Sequence, residues 1–318
     1  MSGVEAHQAW FEERGLKTSL SDAGRSTRQI IKTLGRFGVR AIANPKIIAM
    51  FDELTRQTIA PSAHHLRFKN QIANATKGDI WGGGTFEALV NGNAAKLGLE
   101  LKCSKCSSWN WYELKQLDYS MRCSLCLQEF GFPVLDPSLS DHSRWAYRLV
   151  GPFVLPDYAS GGYGAALSIR FFSEVIGGHD HAGVTWSTGQ LLKLSSAKSV
   201  EADFVLWYQR KQMFGCDHPT DLVFGEAKSF GRDTFKVDDV DRMKLLAEAF
   251  PGSVIVFSMK QAGDLSREEI NRISRFALWG RERMSDRRGS RAPVLLLTGN
   301  ELFARFSLQE AWKKVGGL

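Results

Sequence analysis

The chain is predicted to be an α/β protein: a mixed sheet flanked by helices over residues 141–318, preceded by a four-cysteine β unit over 81–140 and a helical region over 1–80. Three observations predict this. From about residue 145, short apolar runs alternate with amphipathic helical segments, as an α/β core requires. Four of the five cysteines fall in two C-x2-C pairs within one short segment. Ahead of them, capping residues, helical periodicity and glycine stops recur together. With 318 residues, 43% hydrophobic and 24% charged, the chain has the composition of an ordinary globular protein and the length for two or three such units.

In SDAGRSTRQIIKTLGRFG, Ser21 or Asp22 caps a helix that carries Ile30, Ile31 and Leu34 on one face, and Gly35 or Gly38 ends it. NPKIIAMFDELTRQ repeats the scheme, with Asn44 as cap and Pro45 in the first turn. The glycine-rich KGDIWGGGTFEALVNGN lacks the order of a phosphate-binding loop and reads as a linker or turn. Leu97, Leu99 and Leu101 alternate as a strand leading into the first cysteine pair. Trp109 and Trp111, between the pairs, read as the core of this small unit, stacking on bases being the alternative. Beyond it, helices are expected over PDYASGGYGAALSIRFFSEVI, VDDVDRMKLLAEAF and SREEINRISRFALWGRERM. Strands are expected over GVTWSTG, EADFVLWYQR, DLVFGEAKSF, GSVIVFSM and APVLLLTG.

Cys103, Cys106, Cys123 and Cys126 have the spacing of a structural zinc site. Two thiolates on each of two tight turns close a tetrahedral shell and leave no position for water, so this Zn2+ should hold the fold and do no chemistry. The segment resembles a zinc ribbon, a family whose members often contact nucleic acid or partner proteins. Cys216, in MFGCDHPTD, reads as an uninvolved thiol.

The pattern acid-x-lysine occurs at Glu100 with Lys102, Glu113 with Lys115 and Glu226 with Lys228. The first two lie beside or within the cysteine unit and read as solvated. Glu226 and Lys228 end an apolar strand, project from one face of it, and follow a strand that carries Asp203. Together these residues resemble the PD-(D/E)xK nuclease superfamily, with its restriction-endonuclease-like fold, over roughly 145–300. In that family one core strand bears an acid and the next bears acid-x-lysine. The resemblance implies hydrolysis of phosphodiester bonds with Mg2+ or Mn2+. Asp203 and Glu226 would be metal ligands, Ala227 would offer its backbone carbonyl, and Lys228 would act on the attacking water or the scissile phosphate. No proline precedes Asp203. Asp221 is a competing first acid, but at about 3.3 Å per residue it sits roughly 16 Å along the strand from Glu226. The resemblance also makes Glu174 a candidate acid on the preceding helix and Gln190 a weaker outer candidate. His179 and His181, in GGHDHAG, read as a polar turn.

The balance of 41 Lys and Arg against 34 Asp and Glu, +7 in all, favours a polyanionic partner. Basic residues gather at Arg25, Arg28, Lys32, Arg36 and Arg40, and again at Arg281, Arg283, Arg287, Arg288 and Arg291. The second cluster is the expected phosphate-holding loop. DNA is the expected substrate, and a protein partner or motor subunit is left open. No apolar run is long enough for a membrane helix and the N-terminus lacks a signal pattern, so a cytoplasmic protein without membrane contact is expected. Ribbon and nuclease together look like bacterial defence against foreign DNA. The contrasting reading is a catalytically silent nuclease-like module that binds nucleic acid or a partner.

Overall fold

A computed structural model describes residues 2–56, 62–79, 82–132, 143–173, 181–194, 199–211, 220–228, 234–259, 265–282 and 290–303. In chain order the elements begin α1 (Gly3–Glu12), β1 (Lys17–Leu20), α2 (Asp22–Gly38), α3 (Pro45–Thr55), β2 (Ser62–His64), α4 (His65–Ala75) and α5 (Thr85–Asn91). Next come β3 (Ala95–Lys102), β4 (Trp109–Glu113), β5 (Ser120–Arg122), β6 (Glu129–Gly131) and β7 (Ser143–Leu149). The turn α6 (Pro156–Ser160) leads to α7 (Gly162–Ser173), β8 (His181–Lys193), β9 (Ser199–Lys211), β10 (Asp221–Lys228) and α8 (Val237–Ala249). Last are β11 (Val254–Met259), α9 (Arg267–Arg281), β12 (Val294–Leu297) and α10 (Gly299–Phe303). Two compact units result, one from residues 1–32 and 157–318, the other from 33–156. They divide the chain differently from the boundaries expected at 80 and 140. Among the described residues no helix is long and apolar enough to cross a membrane.

The first unit is built on a six-stranded mixed sheet in the order β1-β8-β9-β10-β11-β12. Strands β8, β9 and β10 run antiparallel in succession, whereas β10, β11 and β12 are parallel. Helices α8 and α9 supply the connections that parallel neighbours need. One face of the sheet buries Val205, Phe224, Ile255 and Phe257 against Met243, Leu246 and Phe276. The other meets α7, where Phe172 approaches Phe204 at 6.4 Å and Gly164 lies against Ala227. Gly225 stands opposite Phe204, whose ring occupies the space a Cβ would need. The strands and helices expected from the alternating patterns all form.

Three local expectations are corrected. KTSL is a strand, paired with β8, although four residues carry too little alternation to announce one. The glycine-rich stretch read as a linker or turn contains α5, a seven-residue helix that starts directly after the left-handed Gly84. The helix expected from Pro156 begins only at Gly162, because Asp157, Tyr158 and Ala159 hold left-handed dihedrals.

Helix α1 adds a buried titratable group. His7 is fully buried, stacked on Trp207 at 4.1 Å, with Nδ1 donating to Gly3 O at 2.7 Å and Nε2 without a partner among the described residues. Burial lowers its pKa to about 4, against the hydrogen bond to Gly3. The unfolded chain therefore binds a proton more readily between pH 6.5 and 4. Stability should be full above pH 6.5 and fall by about 3 kcal/mol as pH drops to 4. Urea titrations across that range, wild type beside His7→Phe, measure the difference, and the variant should lose that part of the slope.

The second unit has a four-stranded antiparallel sheet, β2-β7-β3-β4, and the two-stranded β5-β6. Helix α4 lies on β7, with Phe68 stacked on Tyr147 at 5.1 Å. Asn44 caps α3 as expected, accepting from the amides of Lys46 at 2.9 Å and Ile47 at 3.3 Å.

Candidate active site and candidate metal centre

In the first unit the site begins with strand register. Gly225 opposes Phe204, and one step further sets Glu226 beside Asp203 on the face that α8 covers. The Ala227 amide, between Glu226 and Lys228, donates to Asp203 Oδ2 at 2.6 Å. Lys228 Nζ reaches Glu226 Oε1 at 2.8 Å and Asp239 Oδ2 at 2.9 Å. Arg242 Nη2 meets the same Glu226 Oε1 at 3.1 Å and Asp239 Oδ1 at 2.6 Å. Asp203, Glu226 and Lys228 thus come together, and α8 adds an acid and a base.

Asp239 sits at the start of α8 and also accepts from the Lys236 amide at 2.7 Å, so the helix N-terminus itself fixes it. An acid in the first turn of a helix is ordinary in sequence, so nothing there singles it out. Only the sheet beneath α8 brings it to Lys228.

The electrostatics follow from burial. Glu226 is 3% exposed. Burial raises its carboxyl, and the charges of Lys228 and Arg242 pull the other way. Burial and the neighbouring charge of Glu226 hold Asp203 well above the usual carboxylate range, against the Ala227 hydrogen bond. Burial disfavours the charged Lys228, but Glu226 and Asp239 outweigh it and raise its pKa. Three carboxylates face two cations, which leaves one uncompensated negative charge when all are ionised. The bonds above use Oε1 of Glu226 and Oδ2 of Asp203. The oxygens they leave over are hard donors of the kind Mg2+ and Mn2+ take, and such ions need only one or two carboxylates.

The remaining expectations fall elsewhere. Asp221 opens β10 opposite Tyr208, away from this cluster. Gln190 is buried in its own network, accepting from Thr18 at 2.7 Å and donating to Ser187 at 2.5 Å. Arg281 ends α9, exposed, and Arg291 pairs with Glu282 at 3.2 Å. Glu174, His179, Cys216, Arg283, Arg287 and Arg288 lie outside the described residues, and His181 is described by its backbone alone.

In the second unit the four expected cysteines meet. All four sulfurs lie within 4.8 Å of one another, with Cys103 and Cys126 3.8 Å apart and Cys106 and Cys123 3.6 Å apart. A tetrahedron with metal–sulfur bonds of ~2.3 Å has edges of about 3.8 Å, so the thiols are placed to hold a metal such as zinc. The two turns repeat each other. Ser107 N donates to Cys103 O at 2.9 Å and Leu127 N to Cys123 O at 3.0 Å, each from a residue with φ near +60°. Burial works against ionising Cys123, but hydrogen bonds from Ser108 and the amides of Cys126 and Leu125 lower it to about 5. The Gln128 backbone bond lowers Cys126, yet burial and the sulfurs of Cys106, Cys123 and Cys103 raise it to about 12. Four crowded thiols cannot all ionise without a cation among them. Among the described residues this is the one group of three or more potential metal ligands at such mutual distances.

No family model, curated protein or solved structure matches the chain.

Leu127 offers a clean test of the turns. A left-handed conformation costs a branched residue about 1 kcal/mol that glycine does not bear, and Leu127 is 60% exposed, so little burial is lost. Leu127→Gly should raise stability against zinc chelators by about that amount, measured as the chelator concentration at half loss of metal.

Of the other acid-x-lysine pairs, the solvated reading fails at Glu100, which is buried, whereas Glu113 and Lys115 stay partly or largely exposed. Glu100 is 5% exposed and bonded to Ser62 and Arg144, and Glu113 pairs with Lys96 at 2.8 Å and Lys115 at 3.2 Å. The tryptophans were misplaced too. The core of the four-cysteine unit is Leu99, Leu101, Met121 and Phe130, packed with Tyr112, whereas Trp109 and Trp111 point to the opposite face of the sheet.

Proposed function

We propose that the protein is a divalent-metal-dependent nuclease of the PD-(D/E)xK kind, with the restriction-endonuclease-like fold, which hydrolyses phosphodiester bonds in DNA. One observation carries this reading: the Asp203 carboxylate sits on the amide between Glu226 and Lys228, on adjacent strands. The family's acid on one strand and acid-x-lysine on the next would converge in this way. Asp203 and Glu226 would hold Mg2+ or Mn2+, which when bound neutralises the scissile phosphate and lowers the pKa of an attacking water. Lys228 presents a cation beside Glu226 for that water or for the charge developing on phosphate. Asp239 and Arg242 position Lys228 and Glu226. The Ala227 amide orients Asp203, a role separate from the carbonyl contact expected of that residue.

The test is cleavage of single- and double-stranded DNA and RNA with Mg2+, Mn2+ or no divalent ion. Metal-dependent cutting of DNA supports the reading. A folded, zinc-loaded wild type that cuts nothing gives way to the catalytically silent binding module.

A further inference from the structure

We infer that the outer face of the β2-β7-β3-β4 sheet is a docking surface for single-stranded nucleic acid. The inference rests on the nuclease reading only in naming the strand that would be delivered for cutting. Register places the residues. Opposed residues of antiparallel strands share a face, as do residues two apart on one strand. Lys102 opposes Trp109, Glu100 opposes both Trp111 and Arg144, and Lys96 opposes Arg148. One face therefore presents two tryptophans and four cations against two carboxylates, Glu100 and Glu113.

The tryptophans are held as platforms. Trp111 lies across Gly98, where any side chain would collide with its ring, and its Nε1 donates to Ala146 O at 3.0 Å. The Arg148 guanidinium lies over the Trp111 ring, 5.6 Å from its centre, and that of Arg144 lies over Trp109 at 4.5 Å, so each would swing aside to a phosphate as a base takes its place on the ring. Beside Trp111 a cleft of about 630 Å³ opens, lined among others by Tyr112, Arg122, Arg148 and Val154.

Aromatic rings two residues apart on a strand are spaced by roughly 7 Å, so each can take one base, with the arginines and lysines alongside for phosphates. Paired bases expose no ring face for such stacking, which selects single strands over duplex. The cations outnumber the carboxylates, as a polyanion requires. A ring already fixed in place loses little freedom on binding.

The experiment is anisotropy of labelled oligo-dT, oligo-rU and a duplex of equal length, titrated with the full chain carrying Glu226→Gln and no added divalent ion. Single strands should bind more tightly than duplex, quench tryptophan fluorescence, and weaken steeply as salt rises. The dT and rU arms distinguish DNA from RNA as the source of the strand. Trp109→Ala should weaken binding roughly tenfold or more. Arg148→Gln should flatten the salt dependence while zinc content stays at one per chain. Equal binding of duplex and single strand, or unchanged affinity in Trp109→Ala, overturns the inference. Binding by a wild type that cuts nothing upholds this surface and removes the nuclease reading. Cutting without single-strand binding does the reverse.

Discussion

Glu226→Gln is expected to abolish metal-dependent cutting, by at least about a thousandfold, while the protein stays folded. The carboxylate is the shared point of the cluster, met by Lys228 and Arg242 on one oxygen and next to Asp203. Losing a metal ligand removes several kcal/mol of transition-state stabilisation, and about 4 kcal/mol is a thousandfold. Asp203→Asn separates function from fold most clearly. The amide oxygen of asparagine can still accept from Ala227, while the negative charge beside Glu226 disappears. Melting temperature without divalent metal should therefore hold or rise as activity is lost, the trade expected of a site built for function. Lys228→Ala should also stop cutting, but it leaves Glu226 and Asp239 to Arg242 alone and should cost stability as well. Asp221→Ala should be mild in both respects. Cutting that persists in Glu226→Gln, measured against wild type on the same DNA, would place the chemistry elsewhere.

The second large effect is expected at Cys123. This sulfur is fully buried and receives hydrogen bonds from Ser108 at 3.3 Å, Asn110 at 3.4 Å and the Leu125 amide at 3.4 Å. Cys123→Ser replaces it by a poor zinc ligand. Binding of structural zinc contributes about 10–16 kcal/mol in small domains at neutral pH, far more than the few side chains of this core contribute. Metal content should fall from one per chain to near zero, and amide protection over residues 103–131 should be lost. Amide exchange read by mass spectrometry, with zinc assayed on the same sample, tests both at once. Retained zinc with unchanged protection would remove Cys123 from the ligand set, and a wild type without zinc would show that the thiols serve packing alone.

The two effects should be independent. The cysteines belong to the unit of residues 33–156, and Glu226 belongs to the other. Sites without shared partners usually add in their effects. A double variant should combine lost zinc with lost cutting, with no further change in the melting of the first unit.

Local features of the sequence determined a good deal of this protein. The period of apolar residues announced β8 to β12 with their intervening helices, because a two-residue or 3.6-residue repeat is a property of the chain itself. The cysteine spacing announced the cluster that could hold a metal, since two residues between thiols is what a single turn spans. Acid-x-lysine, by contrast, occurs three times and means nothing until neighbours are known. Tertiary structure decided that Glu100 is buried against Arg144, that Glu113 pairs with Lys96, and that Glu226 meets Asp203, Lys228 and Arg242. It also decided that Asp239 turns toward Lys228, that KTSL pairs with β8, and that Trp109 and Trp111 face away from the core of the four-cysteine unit. The physical reason is common to all of these. Periodicity and spacing act through bonds, whereas charge pairing, strand pairing and the choice of face act through space, between residues far apart in the chain.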